Sequence, residues 1–178
     1  PYKPSEYIEA MIEELNRVCA EKDIPLPAFV IEPGRSIVGE AGTTLYTVGD
    51  IKHIPNIRTY VSVDGGMADN PRPALYQAKY TCALAGKMNK PDSTVVSIAG
   101  RTCESGDMLI WNATLPEAEA GDIMAVFSTG AYNYSMASNY NMLPHPAVVL
   151  VKNGKAELMT ARQTYEDLIK NDRIPSWL

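Results

Sequence analysis

The sequence has no long hydrophobic run and no surplus of positive charge. Its aliphatic runs are short, such as residues 147–151, whereas a membrane-spanning helix needs roughly 18 or more apolar residues. Sixteen Lys and Arg stand against 21 Asp and Glu, for a net charge of −5, and the basic residues do not cluster. We therefore expect neither a membrane span nor nucleic acid as the main partner.

Histidine and cysteine are also scarce. His53 and His145 show no metal-ligand spacing, and three cysteines without a C-x-x-C pair favour neither a disulfide framework nor a zinc site. The opening residues 1–4 lack the apolar segment of a signal peptide, so a cytoplasmic location is expected. Because residue 1 is not Met, the chain could be part of a longer protein.

What is present is enough apolar sequence for a core, in two different patterns. Residues 6–21 have helical periodicity, residues 28–31 are a short apolar run typical of a buried strand, Pro33-Gly34 is a turn, and residues 36–42 can form a short helix. Helix, strand, turn and helix in this order make one α/β repeat of a parallel barrel or sheet.

The second pattern begins near residues 40–45 and predicts a mainly β domain. Short runs rich in β-branched and aromatic residues are separated by turn residues, which is typical of a β-barrel or sandwich. Asn153-Gly154 predicts a hairpin, and residues 164–170 predict a last short helix. The seven predicted strands are 43–50, 59–64, 79–83, 94–99, 123–128, 147–151 and 155–160.

Four polar segments, each following a predicted strand, are candidates for a site. In Glu32-Pro33-Gly34-Arg35 the free N–H groups at a helix start favour an anion such as phosphate, although an ordinary solvated turn has the same sequence. The loop 64–72 is long and glycine-rich. Arg72 and Tyr76 are four residues apart and could hold a carboxylate together, unless Tyr76 simply packs on the core.

The other two segments contain a thiol and tyrosines. Cys103 and Glu104 lie in a loop with Asp107, and carboxylates beside a thiol favour its protonated form, hence a proton donor; a half-buried thiol in a turn fits equally well. The segment 130–136 places Tyr132 among small residues, where it could contact a ligand or only pack. Together the four segments predict a site for a charged, amino-acid-like small molecule.

These motifs also resemble a family. EPGRSIV at 32–38, VDGGMADNPRPALY at 63–76, CESGD at 103–107 and GAYNYSM at 130–136 are similar to the C-terminal part of the meso-diaminopimelate decarboxylases. These are pyridoxal-phosphate enzymes of the alanine-racemase-like class. The resemblance implies an α+β chain in which residues 1–42 are the last repeat of a TIM-type barrel and 43–178 are the C-terminal β-barrel or sandwich domain.

The resemblance also assigns roles. Gly34 and Arg35 would bind the cofactor phosphate, Glu32 would keep the pyridine nitrogen protonated, and Tyr132 would touch both cofactor and substrate. The distal end of the amino-acid substrate would lie on Arg35 and on the residues Arg72, Tyr76, Glu104 and Tyr132.

The same resemblance makes Cys103 the acid that protonates the α-carbon after CO2 leaves, in an active site shared across a homodimer. The reaction would turn meso-2,6-diaminopimelate into L-lysine. None of the nine lysines matches the family's Schiff-base lysine, so we expect the chain alone to be inactive. A related ornithine, arginine or carboxynorspermidine decarboxylase and a non-catalytic dimerisation domain are the alternatives.

Overall fold

A computed structural model describes residues 3–178, which form two compact units, one ending at Ile37 and one spanning Val38–Leu178. The first unit begins with helix α1, Pro4–Lys22, in place of the predicted 6–21. Pro4 opens the helix, where its missing N–H is not needed, and the Glu6 carboxylate accepts from the Lys3 N–H (3.3 Å). Asp23 ends it in the left-handed conformation (φ 53°).

The predicted strand at 28–31 is wrong for this structure. These residues have no regular secondary structure, and Val30 is 80% exposed. The cause is physical: a parallel strand needs neighbours for its N–H and C=O groups, and all strands of the described chain belong to the second unit. The helix predicted at 36–42 is also shorter, since α2 covers only Arg35–Val38.

The second unit is built on one curled sheet of six strands in the order β3-β6-β1-β2-β4-β5. Neighbours are antiparallel except β2 and β4, which are parallel, and the edge strands β3 and β5 approach each other, so the sheet is barrel-like. This confirms the mainly β class. The strands are β1 Thr43–Ile54, β2 Arg58–Val63, β3 Cys82–Leu84, β4 Thr94–Ala99, β5 Met108–Leu115 and β6 Ile123–Phe127.

The remaining elements are small. Helix α3 is Arg72–Tyr76, and helix α4 is Tyr165–Ile169, begun by a Thr164 side chain that accepts from the Asp167 N–H (3.2 Å). Strands β7 (Val148–Lys152) and β8 (Lys155–Thr160) form a separate hairpin, as the Asn153-Gly154 pair predicted. Both turn residues have positive φ, 51° and 74°.

The core lies inside the curled sheet. Val61, Ile98, Met124 and Val126, from strands β2, β4 and β6, are fully buried. Each such side chain contributes about 1.5–3 kcal/mol by leaving water. These strands are therefore held firmly, and the loops that leave them start from fixed points.

Candidate functional site

The Arg72 guanidinium lies over two tyrosine rings. Its Cζ is 5.3 Å from the ring centroid of Tyr76, one turn later on α3, and 5.6 Å from that of Tyr132. Its Nε is buried and has no hydrogen-bond partner among residues 3–178. Arg72 forms no ion pair within residues 3–178, so its guanidinium keeps its positive charge for a carboxylate. The structure thus brings together three of the predicted site residues.

Tyr132 reaches Arg72 because the chain after β6 follows an unusual path. Tyr132 is in the left-handed conformation (φ 64°), which a non-glycine residue seldom adopts. Two residues earlier, the Gly130 N–H donates to the Gly39 carbonyl (2.9 Å), and a Cβ on Gly130 would lie 1.9 Å from the Val38 carbonyl oxygen. Only glycine allows this close approach. The strained backbone of Tyr132 lies two residues further along the same segment.

A buried amide pair joins the Tyr132 loop to the loop that carries Arg72. In the orientation that satisfies both amides, the Asn133 nitrogen donates to the carbonyls of Ala131 (2.9 Å) and Thr129 (3.2 Å), and its oxygen accepts from Asn70 Nδ2 (3.1 Å). Both asparagines are buried. Since buried polar groups cost free energy unless paired, this contact fixes the relative position of the two loops.

The buried Asp107 carboxylate joins the loop after β2 to the loop after β4. It accepts from the Met67 N–H (2.7 Å), the Thr102 N–H (2.9 Å) and the Thr102 hydroxyl (2.6 Å). The Arg101 N–H also donates to the Gly65 carbonyl (3.0 Å). Sequence reasoning placed Asp107 beside the thiol as a possible influence on it; the structure gives it the role of connecting two site loops.

A second buried acid, Asp69, holds the loop after β2 in place through two hydrogen bonds. Asp69 accepts from the Tyr46 hydroxyl (2.5 Å) and from the Gly66 N–H (2.7 Å). Burial raises the pKa of Asp69, and burial together with the Asp69 charge raises the pKa of Tyr46 well above its usual value. The phenol therefore stays protonated and remains a donor to the carboxylate.

Cys103 and Glu104 are exposed in the loop after β4, and they form a second cluster with a residue that sequence reasoning missed. The Tyr140 hydroxyl donates to Glu104 Oε2 (3.3 Å), and the Gly106 N–H lies 3.5 Å from Glu104 Oε1. The negative charge of Glu104 raises the pKa of Tyr140. Tyr140 lies 36 residues from Glu104 and in no quoted motif, so only the fold could reveal the pair.

The remaining predicted residues belong to the first unit. Glu32 is exposed, Gly34 and Arg35 are half-buried, and the Gly34 carbonyl accepts from the Ile37 N–H (3.1 Å) as α2 begins. The turn and the short helix are therefore present, but the strand predicted before them is not. Their roles in a site stay predictions.

A cavity of about 370 Å³ opens between the loop after β2 and the segment that leads to α4. Its walls include Tyr46, Asp69 and two arginines, Arg101 and Arg162. His145 also lines it, with an Nε2 that is buried and has no partner in the described chain. The predicted site residues of this unit do not line this cavity, so it is a feature separate from both clusters.

A family model matches residues 16–130, and its description is pyridoxal-dependent decarboxylase, C-terminal sheet domain. The chain belongs to this family. The match covers the whole six-stranded sheet described above, together with the loops that carry Arg72, Cys103 and Glu104. The resemblance inferred from the four motifs is confirmed, as is the C-terminal sheet domain that it implied.

Comparison with curated proteins gives relatives from the same family. The chain is 56% identical over 172 residues to the diaminopimelate decarboxylase of Bacillus subtilis (strain 168), and 51% identical over 178 residues to that of Synechocystis sp.. These alignments cover 97% and 100% of this chain but only 39% and 38% of those proteins. The chain thus spans about two fifths of the length of these relatives.

Solved structures of decarboxylases superpose on this chain. The diaminopimelate decarboxylase of M. jannaschii superposes with a TM-score of 0.82 at 38% identity, covering 96% of this chain and 38% of the other. A complex of that enzyme with L-lysine superposes with a TM-score of 0.80 at 39% identity, covering 92% of this chain and 37% of the other. A lysine/ornithine decarboxylase from Vibrio vulnificus, 24% identical with a TM-score of 0.55, shares the fold.

One negative finding concerns membranes. Within residues 3–178, no helix combines the length and apolar character that crossing a bilayer requires.

Proposed function

We propose that this chain is the C-terminal part of a pyridoxal-phosphate-dependent decarboxylase that converts meso-2,6-diaminopimelate to L-lysine and CO2. The observation that carries the proposal is a pair of opposite charges left without protein counter-ions. Within residues 3–178, neither Arg72 nor Glu104 forms an ion pair. An amino-acid end offers both a carboxylate and an ammonium group, and so matches one charge of each sign.

In this proposal the distal end of the substrate is bound by the sheet domain. Arg72 takes the distal carboxylate with its guanidinium, which lies against the rings of Tyr76 and Tyr132. In the proposed homodimer the distal ammonium group is taken by Glu104 of the partner subunit, and the family resemblance also assigns Arg35 to the substrate. The two ends of meso-diaminopimelate differ only in stereochemistry, so binding one end is what directs decarboxylation to the other.

The residues present also fit part of a pyridoxal-phosphate site. The family resemblance assigns the turn at Gly34 and Arg35 to the cofactor phosphate and the exposed Glu32 carboxylate to the pyridine nitrogen. In the second unit, Tyr132 is 46% exposed. When bound, the cofactor supplies an electron sink for the charge that CO2 leaves on the α-carbon. The Schiff-base lysine is not among these residues and would come from the rest of the whole protein.

Cys103 is proposed as the proton donor. Its thiol is exposed and unpaired, so it can reach a bound substrate and deliver a proton to the α-carbon. Glu104, the next residue, would then contact the same ligand. In the whole enzyme we expect a homodimer in which Cys103 and Glu104 serve the partner's cofactor, a cytoplasmic location consistent with three free cysteines, and no metal ion.

We further propose that residues 1–42 are the last repeat of a TIM-type barrel. The α1 helix and the turn before α2 support this. The apolar segment 28–31, exposed here, would become a strand once neighbouring barrel strands supply its hydrogen-bond partners.

The test is a substrate panel on the full-length protein. Purified holoenzyme is incubated with meso-diaminopimelate, ornithine, arginine, carboxynorspermidine and lysine, and CO2 and amine products are measured. We expect release of CO2 and L-lysine from meso-diaminopimelate at a kcat/KM at least about a hundredfold above the others. A preference for ornithine, arginine or carboxynorspermidine would assign a related decarboxylase, and no turnover of any would refute the proposal.

The 178-residue chain is the control. Incubated with pyridoxal phosphate and reduced with borohydride, it should show no stoichiometric cofactor mass on any one of its nine lysines. A single fully labelled lysine with turnover would contradict the proposed division of the site between this chain and the rest of the protein.

A further inference from the structure

The Tyr140 hydroxyl and the Glu104 carboxylate meet from two loops that are far apart in sequence. Tyr140 lies in a short turn, Tyr140–Met142, after the Tyr132 loop, and its O–H donates to Glu104 Oε2 at 3.3 Å. Tyr140 is 43% exposed, so burial does not explain the contact. The bond instead joins the turn to the loop after β4, at the residue proposed to bind a substrate ammonium group.

Glu104 needs such a partner because few other groups restrain it. Its other oxygen has only the Gly106 N–H at 3.5 Å, and no Lys or Arg of the described chain forms an ion pair with it. A glutamate on an exposed loop otherwise samples many rotamers. A neutral donor fixes one oxygen while leaving the negative charge intact, which is what a cation-binding carboxylate requires.

The backbone around Tyr140 is held in place from the other side. The Asn139 amide donates to the Leu143 carbonyl (2.8 Å) and to Gln163 Oε1 (2.7 Å), and the same Gln163 oxygen accepts from the His145 N–H (2.9 Å). Gln163 comes from the segment before α4, so side chains remote in sequence hold the turn.

The backbone of the turn itself is unusual. Asn141 and Met142 both have positive φ, 54° and 57°. Asparagine tolerates this conformation, but methionine seldom adopts it, so the surrounding bonds must impose it. The phenol is therefore presented from a fixed backbone.

We propose that Tyr140 is a positioning residue for substrate binding: its hydroxyl orients the Glu104 carboxylate toward the distal ammonium group of the substrate. This inference rests on the proposed function and extends it to a residue outside the recognised motifs. Tyr140 transfers no proton to substrate and acts only through Glu104.

The kinetic test uses full-length holoenzyme and four variants: Tyr140→Phe, Glu104→Gln, the double variant, and Tyr165→Phe as a matched control on an exposed tyrosine of α4. Loss of one hydrogen bond to a charged group should raise KM for meso-diaminopimelate about tenfold in Tyr140→Phe, with kcat changed less than about twofold. The double variant should be no worse than Glu104→Gln alone, because Tyr140 acts through Glu104. Tyr165→Phe should match the wild type.

A second readout does not depend on activity. Phenolate absorbance is titrated in the wild type and in Tyr140→Phe, and the difference isolates Tyr140. We expect the Glu104 charge to hold the pKa of Tyr140 above the usual tyrosine value, and this pKa to fall in the Glu104→Gln background. No shift on changing Glu104 would show that the two groups do not interact in solution.

The outcomes separate the two claims. If the wild type does not decarboxylate meso-diaminopimelate, the proposed function fails, and this inference fails with it. If the wild type is active and Glu104→Gln raises KM while Tyr140→Phe leaves it unchanged, only the role of Tyr140 is refuted. Additive losses in the double variant would also refute it, since they would show two independent contributions.

Discussion

The Asp107 carboxylate occupies the place where a side chain on Gly100 would lie. A Cβ built on Gly100 would be 2.1 Å from Asp107 Oδ1, and a Cβ on Gly66, from the other loop, would be 2.5 Å from the same oxygen. The two loops that carry Arg72 and Cys103 therefore meet around one carboxylate, and each contributes a glycine that makes room for it.

Gly100→Ala tests this arrangement. The added methyl must displace the Asp107 carboxylate and break its bonds to the Met67 and Thr102 N–H groups, so we expect a loss of about 2–4 kcal/mol in the free energy of unfolding. The free energy of unfolding is measured by urea titration with tryptophan fluorescence as the signal.

Gly86→Ala is the matched control, because nothing lies within 4 Å of a Cβ there. Its effect should stay within about 1 kcal/mol. Equal effects of the two substitutions would show that the loops do not depend on the space at Gly100.

Arg72→Lys should weaken substrate binding in the full-length enzyme. Lysine keeps the charge but loses the planar donors and the stacking between Tyr76 and Tyr132. We expect KM for meso-diaminopimelate to rise at least about tenfold, as measured by steady-state CO2 release.

Arg58→Lys is the control for this substitution. Arg58 also lies over an aromatic ring, with its Cζ 5.1 Å from the ring centroid of Trp111. Unlike Arg72, it donates hydrogen bonds on the sheet, to Ser97 (2.7 Å) and to Asn112. Its change should lower stability and leave KM near the wild-type value. A KM that rises equally in both variants would argue against a specific role for Arg72.

Cys82 should make stability depend on pH in the alkaline range. Burial raises the pKa of this thiol from 9.0 to about 11. Between these values the unfolded chain loses the proton while the folded chain keeps it, so the contribution of Cys82 is fully present below pH 9 and is lost as pH rises to 11.

The comparison with Cys82→Ala isolates this effect. From pH 8 to pH 11, the free energy of unfolding of the wild type should fall by about 1–2 kcal/mol relative to that of Cys82→Ala. A constant difference for Cys82→Ala would contradict the assigned burial.

Local patterns predicted much of the fold. The periodicity of α1, the β-branched run of β4 and the Asn-Gly turn between β7 and β8 carry their own structural preference, and all three formed as expected. Strand β5 was missed. Its middle residue Asn112 has a φ of 56° and accepts from Arg58 on β2, so a contact between distant residues stabilises what local preference disfavours.

The same distinction holds for the site. Arg72 and Tyr76 are four residues apart on one helical turn, so their contact was readable from spacing. The third partner, Tyr132, required knowledge of which loops meet, and Tyr140 had no motif at all. The strand predicted at 28–31 is absent although its apolar pattern is typical of a strand, because a strand also needs neighbouring strands to pair with.

The preference of the enzyme for a substrate with two amino groups measures whether Glu104 binds the distal ammonium group, as proposed. In full-length enzyme, kcat/KM is compared for meso-diaminopimelate and for 2-aminopimelate, which lacks the distal amino group. The wild type should prefer meso-diaminopimelate at least about tenfold, and Glu104→Gln should bring the ratio close to one by losing activity on meso-diaminopimelate alone. If Glu104→Gln lowers both activities equally and leaves the ratio unchanged, Glu104 does not bind the distal ammonium group.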